Sequence, residues 1–483
     1  MAARRAQEGQ ALVLGMVLAA ALSLALLRYF GAGQVLAAKV RQVHGLDAAA
    51  YSGALVQARA LNMLAYLNRA QLAHQLAMAH LVTLGSWALY GGAEARQVAR
   101  GNPPAHLIGM LFGADHGRAY LAAARAAGLE DRAGPDGALG RAHAAHDRQV
   151  HGLYTGLARD VAATLPEARM AAIRAVLRAH YPDRPEADLR LALEHDQWPS
   201  LLRRHAPDRG LHDLVQGIAG LYPFLGPRDH TARNAWAVDA RCPALRHQLR
   251  RRGATVLDAQ GRWQSSDTQS FHALRSNRWV GCYYREYATG WGWIPGQRAA
   301  GMDGPYSDAA PEDFSEQDFW RWVQSATDWS LLDQRDNPIA NSYAVRSRPH
   351  WPAGGLAPYY DVASARPEGA AGFELRLSID GPGGQVVHAR SAAQSHFSRP
   401  GRRGDGLDES PNLFHPYWMA RLAPLSGEAP SLSAPGEALS AVASGDALAV
   451  STPGEVLAVP SSGEVSAVPV SDSGEVPLLS GGF

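Results

Sequence analysis

His143, His146, Asp147 and His151 recur at intervals of three, one and four residues. On a helix turning about 100° per residue they fall on one side, which is in principle a ligand set for a divalent metal. The same spacing suits a solvated polar face in a chain carrying nineteen histidines, and that reading is preferred. No metal site and no cofactor are expected. His116 beside Asp115, and the run Glu194-His195-Asp196, carry less, because adjacent residues on a helix do not face one another. No Gly-x-Ser-x-Gly elbow, Walker A loop, Gly-x-Gly-x-x-Gly or His-Glu-x-x-His is present. The acidic cluster Glu312, Asp313, Glu316 and Asp318 reads as a helix start that favours negative charge rather than as an acid–base pair. The aromatic block Trp279, Tyr283, Tyr284, Tyr287, Trp291 and Trp293 reads as sheet core, with a ligand-binding surface as the alternative. The expectation is therefore a non-enzyme, with no catalytic residue and no small-molecule substrate identified.

Composition narrows the class. A chain of 483 residues can hold two or three domains with real cores, and a net charge of +1 argues against a nucleic-acid partner. Lys39 is the sole lysine among 46 basic residues, a coding bias rather than a phosphate-binding design. The two cysteines, Cys242 and Cys282, stand forty residues apart. They are a possible disulfide in an oxidising compartment, with two buried thiols as the other option.

What positions all of this begins at the N-terminus. From Ala11 to Phe30 the chain is apolar except for Ser23 and Arg28, and these twenty residues suffice to cross about 30 Å of hydrocarbon. Arg28 is near enough to the end to snorkel into the headgroups. Arg4 and Arg5 place the N-terminus in the cytoplasm and send the bulk of the chain across. A cleavable signal competes: the start is basic, and small residues follow at Gly31, Ala32 and Gly33. The run is long for a signal core and no Ala-x-Ala follows closely, so an uncleaved anchor is favoured.

From Lys39 to Ser86 there is no proline, and apolar residues recur at Val43, Leu46, Ala50, Ala54, Ala58, Leu61, Leu72 and Leu76. This predicts an amphipathic helix leaving the membrane, bent near Gly31, Gly33, Gly45 or Gly53 and then broken or folded back on itself. Residues 91–234 read as a helical region punctuated by Pro and Gly turns. Strand signals dominate afterwards. Residues 254–263 read as strand, turn and strand, and residues 372–393 as a hairpin with Asp380-Gly at its tip. Ser315-Glu-Gln-Asp318 resembles a capping box opening a short helix. From Gly427, Gly-Glu or Gly-Asp recurs every nine residues to Gly463, then at Gly474. The tail carries seven acids and no base, and this composition reads as disordered.

The expected fold class is α+β: a transmembrane helix continuing into a helical region, a mostly antiparallel β-rich domain, and the acidic tail. The expected divisions are a cytoplasmic N-terminus (1–10), a membrane helix (11–30), a helical stalk (31–90), a helical region (91–234), an α+β domain (235–421) and the tail (422–483).

Two short stretches carry a family resemblance. Gly9-Gln10-Ala11 opens the membrane run, and Asp47-Ala48-Ala49-Ala50 leads to Gly53-Ala54 further along. The first 55 or so residues resemble the TadE/TadG-like family of Flp (tight-adherence) pilus-assembly proteins. The resemblance implies a single-pass inner-membrane protein with its bulk in the periplasm. Its implied role is a minor pilin-like or scaffold component, with the membrane and other pilus-assembly proteins as partners. Prepilin-type processing needs a glutamate five residues after the glycine, and here Glu8 precedes Gly9. The Asp-x-Ser-x-Ser metal motif found in some members is absent, so no adhesion or metal role carries over. The alternative is a tethered or secreted periplasmic enzyme or ligand-binding protein using the aromatic β region.

Overall fold

The computed structural model describes residues 8–134, 136–205, 209–279, 281–296, 314–315, 349–362, 370–381 and 384–426. One helix dominates them. Helix α1 runs unbroken from Glu8 to Arg100, 93 residues, or roughly 140 Å at 1.5 Å per residue. The expected break or fold-back does not occur within it. Of the apolar stripe expected beyond the membrane run, Leu46, Ala50, Ala54, Ala58 and Leu61 are buried, but the buried surface is wider than one stripe and includes Gln57, Asn68, Gln71 and Gln75. Between residues 52 and 95 the exposed positions fall along one narrow line: Arg59, Met63, Tyr66, Arg69, Ala73, His80 and Trp87. Other elements wrap the rest of the helix, so it has no need to fold back on itself.

The wrapping elements come from the whole chain. Helices α2 (Ala105–Phe112), α3 (Ala114–Ala122), α4 (Ala138–Arg148) and α5 (Thr155–His180) follow α1, with a π-helical turn at Gln149–Tyr154 joining the last two. Then come β1 (Arg190–Glu194), α6 (Trp198–Leu201), β2 (Leu202–His205), α7 (Arg209–Ala219) and β3 (His230–Arg233). Strands β4 (Gln248–Leu257), β5 (Trp263–Asn277), β6 (Gly281–Ile294), β7 (Phe314–Ser315) and β8 (Tyr359–Val362) precede the last three. These are β9 (Ala370–Asp380), β10 (Val386–Phe397) and β11 (Trp418–Ala423).

All pairings among them are antiparallel, in sheets ordered β1-β9-β10-β11, β3-β4-β5-β6-β7 and β2-β8. The α+β class holds. Both expected hairpins are present: Leu257 pairs with Trp263, and Asp380 pairs with Val386. Residues 91–234, expected as a helical region, also contain β1, β2 and β3, which pair with β9, β8 and β4. A five-residue strand such as Arg190–Glu194 has no period of its own long enough to read; its partner β9 stands far along the chain. The helix expected after Ser315, the acidic cluster and the tail from Gly427 lie outside the described residues, and Ser315 itself is in β7.

The core is strung along α1. Leu46, Ala49, Ala50 and Ala54 pack with Ile173 and Leu177 of α5 and with Phe373, Leu375 and Leu377 of β9. Ala58, Leu61 and Leu64 pack with Trp198, Leu413 and Trp418. Met78, Val82 and Leu89 pack with Leu211, Val215, Trp263, Ile294 and Trp351. Glycine allows the closest approaches. A Cβ at Gly292 would lie 2.2 Å from the Ser86 carbonyl oxygen, and one at Gly85 would lie 2.6 Å from the Trp351 ring. In the sequence Gly290-Trp291-Gly292-Trp293, the glycines therefore face α1. Gly292→Ala is expected to lower stability by about 1–3 kcal/mol, the usual range for overpacking. Gly217→Ala in α7, where a Cβ meets nothing within 4 Å, should be neutral or raise stability by about 0.5–1 kcal/mol. Denaturant melts of the two variants check the pair, and equal effects would disprove the close-packing argument.

Candidate functional site

Two parts of α1 differ in kind. Residues 12–30 are exposed throughout: Leu12, Leu22 and Phe30 are 69%, 64% and 66% accessible. The most apolar 18-residue window of this helix has a mean hydropathy of 2.1, and none of it is buried. A solvent-exposed helix of this composition satisfies the physical requirements of a membrane anchor or a signal sequence. From Lys39 onward the helix is docked. Lys39 Nζ donates to the His388 carbonyl of β10, and Arg41 Nη2 donates to the His180 carbonyl at 2.9 Å. Gly9, Gln10 and Ala11 lie in the first turns of α1. Asp47, Ala48, Ala49 and Gly53 lie where the helix first meets the sheet. Ser391 Oγ donates to Asp47 at 2.6 Å, Ala49 is fully buried, and a Cβ at Gly53 would meet Ile173 and Phe373.

The docked helix carries a row of buried amides that sequence reasoning missed. Gln42 Nε2 donates to the carbonyls of Leu377 and Val387, Gln57 to Ala371, Asn68 to Tyr360 and Leu413, Gln71 to Ala357 and Gln75 to Gly355. At about 100° per residue these five positions fall within about 80° of arc. Each amide donates to a backbone carbonyl of a strand or loop packed on α1, so its own buried N–H is paired. The signal was present in the spacing 42, 57, 68, 71 and 75, but a polar stripe on an otherwise apolar helix reads as the solvent side. Here it faces protein. Asn68→Ala removes both bonds at once and should lower stability by about 1–3 kcal/mol. Arg69→Ala, on the exposed line, should change it by less than about 0.5 kcal/mol.

Further along, a charged cluster joins α1 to the second sheet. Asp267, fully buried, receives a bidentate pair from Arg228 at 2.8 and 2.9 Å and the Ser86 hydroxyl at 2.8 Å. Glu94 lies nearby, accepting from Gln269 Nε2 at 2.9 Å, with Arg251 over the Tyr90 ring. Burial pushes the Glu94 carboxyl up to about 7, against the opposing pull of Tyr90, Arg251 and Gln269. Glu94 therefore stays protonated when folded up to about pH 7, whereas it ionises near its ordinary value when unfolded. The folded chain holds the extra proton in that window, so this group's contribution to stability falls as pH rises from about 4.5 to 7. At about 1.4 kcal/mol per pKa unit the fall is roughly 3 kcal/mol. Melting at pH 5 and pH 8 checks this, and Glu94→Gln should flatten the difference.

The predicted histidine cluster stays together only at Asp147 and His151, 3.6 Å apart. His143 is buried against Trp351, ring centroids 5.4 Å apart, and burial holds it down at about 4. His151 Nε2 lies 3.0 Å from the Gly355 carbonyl, and Asp147 accepts from Gly354 N at 3.0 Å. His146 Nδ1 lies 2.8 Å from His74 Nδ1, and His74 Nε2 lies 3.0 Å from Tyr154 Oη. Burial and the neighbouring His146 both lower His74. An α-helix would leave Tyr154 about 80° off His146; the extra residue of the π-helical turn swings both onto His74. Among the described residues no group of three His, Cys, Asp or Glu could hold a metal ion.

His116 stacks near His230, with ring centroids 6.4 Å apart, while Asp115 pairs with Arg118. Glu194, His195 and Asp196 also separate. Asp196 pairs at 2.5 and 3.1 Å with Arg169, which is fully buried and also donates to Gln57. Glu194 pairs with Arg376 at 2.9 Å. His195, with φ of +49°, turns into a cleft of about 270 Å³ lined with Gln197, Glu374, Gln394 and Ser426.

The aromatic block is core only in part. Tyr284 and Trp291 are buried and Tyr287 and Trp293 half-buried, but Trp279 is 80% exposed at the hairpin turn. The sheet face expected to offer a ligand site is occupied by α1 at Gly290 and Gly292. Cys242 and Cys282 form a disulfide, Cα atoms 6.1 Å apart. No family model, curated protein or solved structure matches the chain.

Proposed function

We propose that the chain is a single-pass protein of the bacterial inner membrane, with its N-terminus in the cytoplasm and its bulk in the periplasm. In this reading it works without catalysis, as a scaffold or minor pilin-like component of an Flp (tight-adherence) pilus-assembly or related secretion system, alongside other membrane proteins of that system. One observation carries the reading: the exposed apolar run and the core of the body are the same continuous helix, Glu8 to Arg100. Any force or tilt applied to the membrane segment is transmitted through α1 to the sheets bonded to it: Gln42 and Gln57 bond β9, Asn68 bonds Tyr360 of β8, and Trp263 of β5 bonds Gln75. The Cys242–Cys282 bond suits an oxidising compartment. The Gly9-Gln10-Ala11 and Asp47-Ala48-Ala49 stretches that resemble TadE/TadG-like proteins occupy the anchor start and the first docking point.

A second reading, a tethered or secreted enzyme or ligand-binding protein, is favoured by the His195 cleft, where a non-glycine residue of positive φ adjoins convergent polar groups. Mass spectrometry of the native N-terminus, from membrane and sheared-surface fractions, separates the fates of residues 1–38. A start near Met1 in the membrane fraction is expected. A start near Gly33 or Ala38 in a soluble fraction would leave the docked part of α1 intact and remove the anchor. Deletion of the gene should abolish or reduce surface pili; unchanged pili and unchanged sheared filament protein would refute the assembly role.

A further inference from the structure

The β5–β6 hairpin extends beyond the end of its supporting helix. Trp263 at its base bonds Gln75 of α1, and Gln269 bonds Glu94. Further out, Leu274 packs with Cys242 and Tyr284 rather than with α1. Pairing closes at Asn277 with Gly281, leaving a connection that begins Arg278-Trp279. Trp279 is 80% exposed, and the Arg278 guanidinium carbon lies 4.4 Å from its ring centroid. The disulfide holds residues around Cys242 beside this end, where Trp236 and Leu245 are 48% and 38% exposed. Residues 234–247 and 275–282 together contain Arg241, Arg246, Arg275 and Arg278 against a single acid, Asp239. That acid is engaged by the Arg241 backbone N–H at 2.8 Å. We propose that this hairpin end is a docking tip for an anionic lipid surface, with Trp279 entering the interface and Arg241, Arg275 and Arg278 meeting lipid phosphates.

Tryptophan settles at the headgroup level, where its ring is apolar and its N–H is wet, and arginines are drawn to anionic leaflets within a Debye length. A projecting turn has no walls to enclose a peptide or sugar, whereas a bilayer needs none. The tip's chemistry does not depend on the anchor reading; only its position far from a first membrane does. The test uses the full chain held in phosphatidylcholine nanodiscs, mixed with free vesicles of phosphatidylcholine alone or with 30% phosphatidylglycerol, and separated by flotation. If the mature chain proves to be cleaved and soluble, it enters the same assay without nanodiscs, so failure of the anchor leaves this test intact. Co-flotation with the anionic vesicles is expected, weakened at least tenfold by Trp279→Ala and by the pair Arg275→Ser and Arg278→Ser, and reduced at 500 mM salt. These side chains are exposed, and unchanged melting temperatures confirm folded variants. Equal flotation with phosphatidylcholine vesicles, no effect of either variant, or binding to soluble polyglutamate without binding to vesicles would each overturn the proposal.

Discussion

Beyond its exposed apolar run, the 93-residue helix is covered by the rest of the protein on most of its sides. The amide row from Gln42 to Gln75 is the interaction on which the arrangement depends. Strands β9 and β10 and the segments at 355–360 and 413 present carbonyls to the helix that cannot reach water. Without those carbonyls the amides of α1 would be buried, unpaired donors. The apolar contacts between these bonds are non-directional and would tolerate a sliding helix. The hydrogen bonds set its register.

The same logic explains why charge is buried at two points. Arg169 with Asp196, and Arg228 with Asp267, are ion pairs whose removal from water is unfavourable by itself. Each is surrounded by further partners: Gln57 and the Trp198 N–H in the first case, Ser86, Thr255 and Ser265 in the second. In both, a residue of α1 belongs to the network. A displaced helix would strand a charge, which penalises alternative dockings more steeply than a lost methyl contact would.

One consequence is mechanical. The apolar run and the wrapped core share a backbone with no hinge between them, since the glycines at 31, 33, 45 and 53 are all helical. A body fixed in this way to an exposed apolar helix has its orientation set by that helix. This is a property of use to an assembly component, and one a freely tethered enzyme does not need.

The α+β class, the exposed apolar run and the two hairpins at Leu257–Trp263 and Asp380–Val386 were legible in the residues alone, because each rests on local period, length or turn chemistry. The continuity of α1 was not. Its glycines permit a break, and at Gly53 and Gly85 the distant residues Ile173, Phe373 and Trp351 pack directly against it. The amide stripe went unread for a related reason: whether a polar face meets water or carbonyls is decided by what packs on it. His143 to His151 and Glu194 to Asp196 were grouped by sequence neighbourhood; the structure keeps Asp147 and His151 together and sends His143, His146, Glu194 and Asp196 to separate partners. Cys242 and Cys282 could be counted but not paired until β6 lay beside residues 239–245. Sequence by itself determined what short stretches prefer, since propensity and hydropathy act over a few residues. Tertiary structure decided which groups meet, since buried hydrogen bonds, ion pairs and close glycine contacts exist only after remote segments have closed around the helix.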